Sequence, residues 1–192
     1  WIYQRRHTVS RELHAVARIR QLFAAGLDYA VPQTGPDYGI RRPGRPVDPG
    51  RPYLVFLHST TWPSKHWPPR YWAELAHLAA AQGFRVLFPW HSPEDRLGAE
   101  RILQAAEAGE LVPRQGLTGL AGWLGSAAGV VGVDTGLAHL AAALGVPAVT
   151  LYGPTRVDLT GAVGPRQRNL TAKFPCAPCL RRACDFHGEA ET

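Results

Sequence analysis

Val130 to Thr155 reads VVGVDTGLAHLAAALGVPAVTLYGPT, and the punctuation of this stretch decides the fold. The apolar run Val130-Val131-Gly132-Val133 stops at Asp134-Thr135-Gly136. A helix over Leu137 to Leu144 is expected next. Gly145 follows it, at the position where a left-handed residue closes a helix. The second apolar run, Ala148 to Tyr152, stops at Gly153-Pro154-Thr155. Strand, helix and strand in this order make a parallel crossover, so both polar turns fall at one carboxyl edge. In open α/β sheets that edge is where ligands bind.

The same alternation extends upstream. Tyr53 to His58 reads as a strand and Pro69 to Gln82 as a helix stopped by Gly83, with Tyr71, Trp72, Leu75, Leu78 and Ala79 facing inward. Phe84 to Phe88 is the next strand. Ser92 caps a helix that begins with Pro93, a favoured first-turn residue. Leu111 to Pro113 is a short third strand, and Thr118 caps the helix bearing Leu120 and Leu124. Strands spaced by helices in this way predict a Rossmann-like parallel α/β sheet flanked by helices. Near the start, Ser10 is the expected cap of a helix ending at Gly26, with Leu13, Val16, Ile19 and Phe23 as its apolar stripe and Arg11, His14 and Arg18 on another face. Residues 31–52 are rich in Pro, Gly and Arg and read as a linker. After Thr155 the patterning fades, and mostly loop is expected.

At 192 residues the chain can bury one core with an extension. It begins at Trp1 and contains no Met, which suggests a piece of a longer protein that lacks an N-terminal half. No stretch approaches eighteen apolar residues. The net charge of +6 is concentrated in the first twenty residues and in Arg41-Arg42-Pro43-Gly44-Arg45. No nucleic-acid motif accompanies it, so an anionic lipid or glycolipid is the more specific reading and a solvated basic face the plainer one. Cys176, Cys179 and Cys184 cluster, with His187 three residues on. Three thiolates and an imidazole can complete a zinc tetrahedron. The spacings do not form a paired-knuckle pattern, and reduced, unliganded thiols are the favoured expectation.

Four polar clusters follow strands directly: His58-Ser59-Thr60-Thr61, Trp90-His91-Ser92, Asp134-Thr135-Gly136 and Gly153-Pro154-Thr155. A parallel sheet brings them to one edge. Thr60 and Thr61 offer hydroxyls and Lys65 a mobile ammonium, a combination suited to phosphate. Gly136 opens a helix whose N-terminus also favours an anion. Asp134 has three readings: a cap for that helix, a partner for a sugar hydroxyl, or a catalytic carboxylate of the Asp-Thr-Gly kind. The helix that follows at once disfavours the last. His139, at i+4 from Thr135, can face the same cleft. Against these readings stand a solvated Lys65 and a buried structural His139.

DTGLAHLAAALGVPAVTLYGPT resembles the signature of the bacterial lipopolysaccharide heptosyltransferases, inverting GT-B glycosyltransferases of family 9. HSTTWPSKHWP, His58 to Pro68, is similar to the nucleotide-sugar loop of the members that add the first heptose. The likeness runs from RRHTVSRELHAVARIRQLFAAGLDY to about Thr171. It implies that the chain is the donor-binding C-terminal domain of a two-domain enzyme. Thr60, Thr61, Lys65, Asp134, Thr135, Gly136 and His139 then match positions that hold ADP-heptose, with Lys65 neutralising charge on the leaving ADP. Asp95 matches a ribose-binding carboxylate, commonly Glu in the family, and Gln115 an adenine-side position. Arg5, Arg6, His7, His14 and Arg18 match the basic stretch beside the acceptor, Kdo-lipid A. The general base is an Asp in a Gly-rich loop of the other domain, which this chain does not contain. The resemblance further implies no cofactor, no metal, no nucleic acid, and a cytoplasmic enzyme peripheral on the inner membrane. The expected division is 1–30 basic helix, 31–52 linker, 53–171 donor domain and 172–192 irregular cysteine-containing tail. A non-catalytic nucleotide-sugar-binding module, or a relative with another acceptor, is the alternative.

Overall fold

A computed structural model describes residues 5–44 and 50–186. Arg45 of the basic linker and His187 of the candidate zinc set lie outside them.

Six strands form one all-parallel sheet: β1 (Tyr53–Leu57), β2 (Arg85–Phe88), β3 (Glu110–Leu111), β4 (Gly129–Val133), β5 (Ala148–Tyr152) and β6 (Gln167–Thr171). Their order is β3-β2-β1-β4-β5-β6. The chain winds outward from β1 through β2 to β3, then returns to lie beside β1 and winds the other way. The direction reverses between β1 and β4, which pair from Leu54 with Gly129 to Leu57 with Gly132. This is the topological switch point, where the loops leaving adjacent strands diverge and open a crevice.

Side chains alternate across the strands, so each face of the sheet has its own core. Val55 and Leu57 join Val130, Ala138, Ala141 and Leu124 on the face covered by α4 (Leu117–Ser126) and α5 (Gly136–Ala143). Phe56 and Phe88 join Trp72, Ala76, Ala99 and Ile102 on the face covered by α2 (Pro69–Ala81) and α3 (Pro93–Ala106). Phe56 meets Trp72 and Phe88 at ring separations of 5.5 Å. At Gly132 the strands come close: a Cβ there would stand 2.9 Å from Leu57 Cβ.

Several sequence expectations shift. Helix α2 points Trp72, Ala73, Ala76 and Ala79 inward. The large Trp72 sets the phase, and Leu78, expected inside, is 56% exposed. The third strand lies one residue earlier than expected, and Gly116 rather than Thr118 is the N-cap of α4, with no side-chain cap. Loop was expected beyond Thr155, yet a helical turn, α6 (Val157–Thr160), and β6 are present. Strand β6 has no apolar run. Its half-buried amides face inward and bond to main chain, Gln167 Nε2 to Val146 O at 2.7 Å and Asn169 Nδ2 to Ala162 O at 3.0 Å.

The first helix, α1, runs from Ala15 to Leu27, and its cap is His14, not Ser10. His14 Nδ1 accepts from Val16 N at 3.2 Å, and Nε2 lies 3.0 Å from Gly161 O. Those two contacts tie the start of the helix to the segment after α6. Ser10 closes only a local turn, accepting from Glu12 N, and the helix ends at Asp28 in the left-handed region rather than at Gly26. Of the expected apolar stripe, Leu13 and Val16 are half-buried and the other two residues face outward. Ala24 is buried, while Ile19 and Phe23 are 57% and 55% exposed. The linker is anchored by Arg42, which donates to Leu144 O, Gly145 O and Gly125 O. A guanidinium thereby meets the carbonyl ends of both α5 and α4, where the helix dipoles favour a cation.

Candidate functional site

At the switch point a cleft of about 680 Å³ opens between the loop after β1 and the loop after β4. His58 to Thr61, Lys65, Pro89 to Ser92, Asp95, Asp134 to Leu137 and His139 line it. Three of the four polar clusters read from the sequence therefore converge. The fourth joins them through Thr155.

Asp134 is the hub. Its carboxylate is nearly buried, and Oδ2 takes both Lys65 Nζ at 2.7 Å and the Thr155 hydroxyl at 2.8 Å. His139 Nε2 stands 3.7 Å from Oδ1, near enough to act electrostatically but long for a hydrogen bond. The Thr60 hydroxyl donates to the Asp134 carbonyl at 3.3 Å. Burial would raise the carboxyl's pKa. His139, Lys65 and Thr155 outweigh burial and bring it down to about 2.

Asp134 does not cap α5. The N-cap is Thr135, extended at φ −146°, which places Asp134 one residue too early. Thr135 makes no side-chain cap bond either. The N-terminus of α5 thus opens on the cleft without a side chain across its N–H groups. A Cβ on Gly136 would meet nothing within 4 Å, so the space in front of that helix end is clear. This geometry suits an anionic ligand.

Lys65 is not the mobile ammonium expected. It ends the 3₁₀ turn Pro63–Lys65, pairs with Asp134 and lies 4.7 Å from the centre of the Trp62 ring. The turn that carries it is tied down from the C-terminal side. Ser64 N and Oγ donate to the carbonyls of Arg182 and Arg181, and Leu180 N donates to Pro154 O. Residues 180–182 consequently link the Lys65 turn to the turn that carries Thr155. Tyr152, at the end of β5, accepts from Ala162 N at 2.9 Å. Its pKa is pushed up to about 12, by burial first and then by Asp134.

Asp95 lines the cleft, but its carboxylate is engaged. It completes a capping box with Ser92, accepts from Ser92 N and His91 N, and takes the Ser59 hydroxyl. Burial would raise its pKa, and these donors lower it. His58 is 6% exposed and lies edge-on to Phe88, with Nε2 3.0 Å from Asp95 O. Burial lowers its pKa and keeps the ring neutral. His58 and Ser59 thus brace the β1 loop against α3.

Gln115 is half-buried with its carboxamide folded toward Gly119, away from the cleft lining. Arg5 and Arg6 are exposed ahead of α1, Arg18 is half-buried on it, and both ring nitrogens of His14 are engaged. Cys176, Cys179 and Cys184 are free thiols, and among the described residues no His/Cys/Asp/Glu group is arranged to hold a metal ion. Sequence reasoning left Thr155, Ser59 and Trp62 out of the site. For Thr155 the signal was present: it closes the fourth polar cluster.

The family model described as glycosyltransferase family 9 (heptosyltransferase) matches residues 1–189. Lipopolysaccharide heptosyltransferase 1 of Pseudomonas aeruginosa is 48% identical over 190 residues, 98% of this chain and 54% of the relative. The Escherichia coli K12 protein of the same name is 44% identical over 168 residues, 86% and 52% of the two chains. The chain thus spans about half the length of the curated relatives it matches. Among solved structures, E. coli heptosyltransferase WaaC with ADP superposes with a TM-score of 0.77 at 40% identity, covering 88% of this chain and 54% of that one. The same enzyme with ADP-2-deoxy-2-fluoro heptose gives 0.72 at 39%, over 88% and 53%. On the family match across nearly all its residues, this chain belongs to glycosyltransferase family 9, the heptosyltransferases.

Proposed function

We propose that this chain is the donor-binding domain of a lipopolysaccharide heptosyltransferase, which takes heptose from ADP-heptose and passes it to Kdo-lipid A. The carrying observation is the cleft at the β1/β4 switch point, where Lys65, Asp134 and the uncapped N-terminus of α5 converge. The similarity to WaaC, solved with ADP and with a fluorinated ADP-heptose, supports the same ligand here.

Lys65 rests on Asp134. An arriving diphosphate offers more negative charge and draws the ammonium to itself, aided by Thr60, Thr61, Thr135 and the α5 N–H groups at Gly136. Asp134 is then released to accept from a sugar hydroxyl, with His139 beside it. Asp95 braces the ribose side, and Gln115, whose carboxamide folds toward Gly119, meets the adenine side through its backbone. As the acceptor oxygen bonds to the anomeric carbon, the bond to the diphosphate oxygen breaks with inversion, and Lys65 stabilises the negative charge gathering on ADP. The acceptor proton passes to a general base. We assign that role to none of the described residues and place it in an Asp of a partner N-terminal domain. Positive groups hold the diphosphate without a metal. Arg5, Arg6 and Arg18, with His14 fixing the start of α1, face an anionic acceptor at the cytoplasmic surface of the inner membrane. Residues 1–30 then lead from the other domain, 31–52 link, 53–171 bind donor, and residues 180–182 of the tail buttress the Lys65 turn.

Calorimetry tests this reading. ADP should bind, Lys65→Ala should weaken it by about 1–3 kcal/mol, and excess chelator should leave affinity unchanged. The chain alone should not transfer heptose, and adding the other domain in trans or by fusion should restore transfer. Unselective binding of any nucleotide would instead indicate a non-catalytic nucleotide-binding module. Robust transfer by this chain alone would show that the base has been misplaced.

A further inference from the structure

We propose that Thr155 is a positioning residue of the donor site: its hydroxyl holds the Asp134 carboxylate in place when Lys65 is drawn away to a bound diphosphate. The inference rests on the donor-binding reading above and adds a residue to it.

The geometry is specific. Asp134 Oδ2 receives two donors, Lys65 Nζ at 2.7 Å and Thr155 Oγ1 at 2.8 Å. They differ in kind. The ammonium neutralises the carboxylate and suits a phosphate equally well, so it is the donor a ligand can recruit. The hydroxyl carries no charge, offers one proton, and sits on a short side chain in the turn after β5. It cannot follow the ligand. Once Lys65 leaves, Thr155 remains bonded to Oδ2, and Oδ1 stays open toward His139 and the cleft. A buried carboxylate with neither donor would be costly to keep ionised, and nothing would fix its plane.

Thr155 is itself well held. Strand β5 ends at Tyr152, whose buried hydroxyl accepts from Ala162 N. The Pro154 carbonyl accepts from Leu180 N. Thr155 thus meets Asp134 from a turn braced on both sides. The groups facing this carboxylate are Lys65 from the 3₁₀ turn, His139 from α5, and Tyr152 and Thr155 from β5 and its turn.

The test uses Thr155→Val, which keeps shape and removes the hydroxyl, and Thr155→Ser, which restores it. Two readouts are taken on the whole chain. The first is the titration of the Asp134 carboxyl carbon by NMR without ligand. Its midpoint should rise in the Val variant and return in the Ser variant. The second is calorimetry with ADP and with ADP-heptose. Thr155 acts through the carboxylate that meets the sugar. The Val variant should therefore lose about ten-fold in ADP-heptose affinity while ADP changes by less than about three-fold, and Ser should rescue the difference. A general structural role would weaken both ligands equally, and that result overturns the proposal, as does an unmoved titration midpoint. If the wild-type chain binds neither nucleotide, the donor reading falls, and the NMR midpoint alone decides whether Thr155 positions Asp134.

Discussion

Replacing Lys65 by Met keeps an unbranched apolar side chain and removes the ammonium, with its bond and charge on Asp134 and its place 4.7 Å from the centre of the Trp62 ring. The magnitude follows from the carboxyl. Its pKa falls from 3.8 to about 2 on folding. At about 1.36 kcal/mol per unit, that is about 2.5 kcal/mol of stability at neutral pH. Lys65, Thr155 and His139 share it, and Lys65 contributes both a hydrogen bond and a charge. Its share is about 1–2 kcal/mol, below the range for fully buried pairs, because the cleft is open to water. The sign is fixed by the direction of the shift. A depressed carboxyl pKa gives stability that is complete above about pH 4 and is lost as pH falls toward 2, with about half remaining at pH 3. Urea unfolding of wild type and Lys65→Met from pH 7 to pH 3 should show a gap of about 1–2 kcal/mol that narrows on acidification. A gap that stays constant across that range would show that the ammonium does not stabilise the ionised carboxylate. The storage of Lys65 on Asp134 would then be wrong.

Asp95→Ala removes the capping box of α3 and the Ser59 contact together, and should cost about 1–2 kcal/mol in urea unfolding at pH 7. The cost should shrink below pH 4, since this carboxyl's pKa is also depressed. Arg42→Ala strips the carbonyl ends of α4 and α5 of a shared donor. It should cost about 1–2 kcal/mol and speed protease cleavage in residues 31–44, and unchanged cleavage would mean that Arg42 does not anchor the linker. Gly132→Ala forces a methyl to 2.9 Å from Leu57 Cβ and should destabilise by about 1–3 kcal/mol, read as a lower urea midpoint.

Much of the fold was legible because most strands are apolar runs with a polar stop. Strands β1, β2, β4 and β5 lie inside the sheet, covered on both faces, and their sequences carry that burial. Strand β6 is an edge. Gln167-Arg168-Asn169-Leu170-Thr171 is held by the ladder to β5 and by side-chain amides that donate hydrogen bonds to main-chain carbonyls, and neither leaves an apolar trace. Helix α1 failed for a different reason. Its pattern was read correctly as amphipathic, but periodicity does not say which face meets the domain. Among the described residues Ala24 does so, while Ile19 and Phe23 look outward.

The site was legible as a set of loops but not as a network. Polar turns after parallel strands locate the cleft by topology alone, which is why Thr60, Lys65, Asp134 and His139 all reach it. What each side chain does there depends on atoms brought together from distant turns. The local rule for an Asp before a helix is to cap it. That rule gave way because the extended Thr135 takes the cap position and Asp134 stands one residue outside. From there its carboxylate reaches Lys65 on one loop and Thr155 on another, and the mouth of α5 is left open. One displaced residue therefore has two consequences that belong together. The helix end is kept free for an anion, and the cation that anion needs is held beside it, on a carboxylate from which a diphosphate can take it.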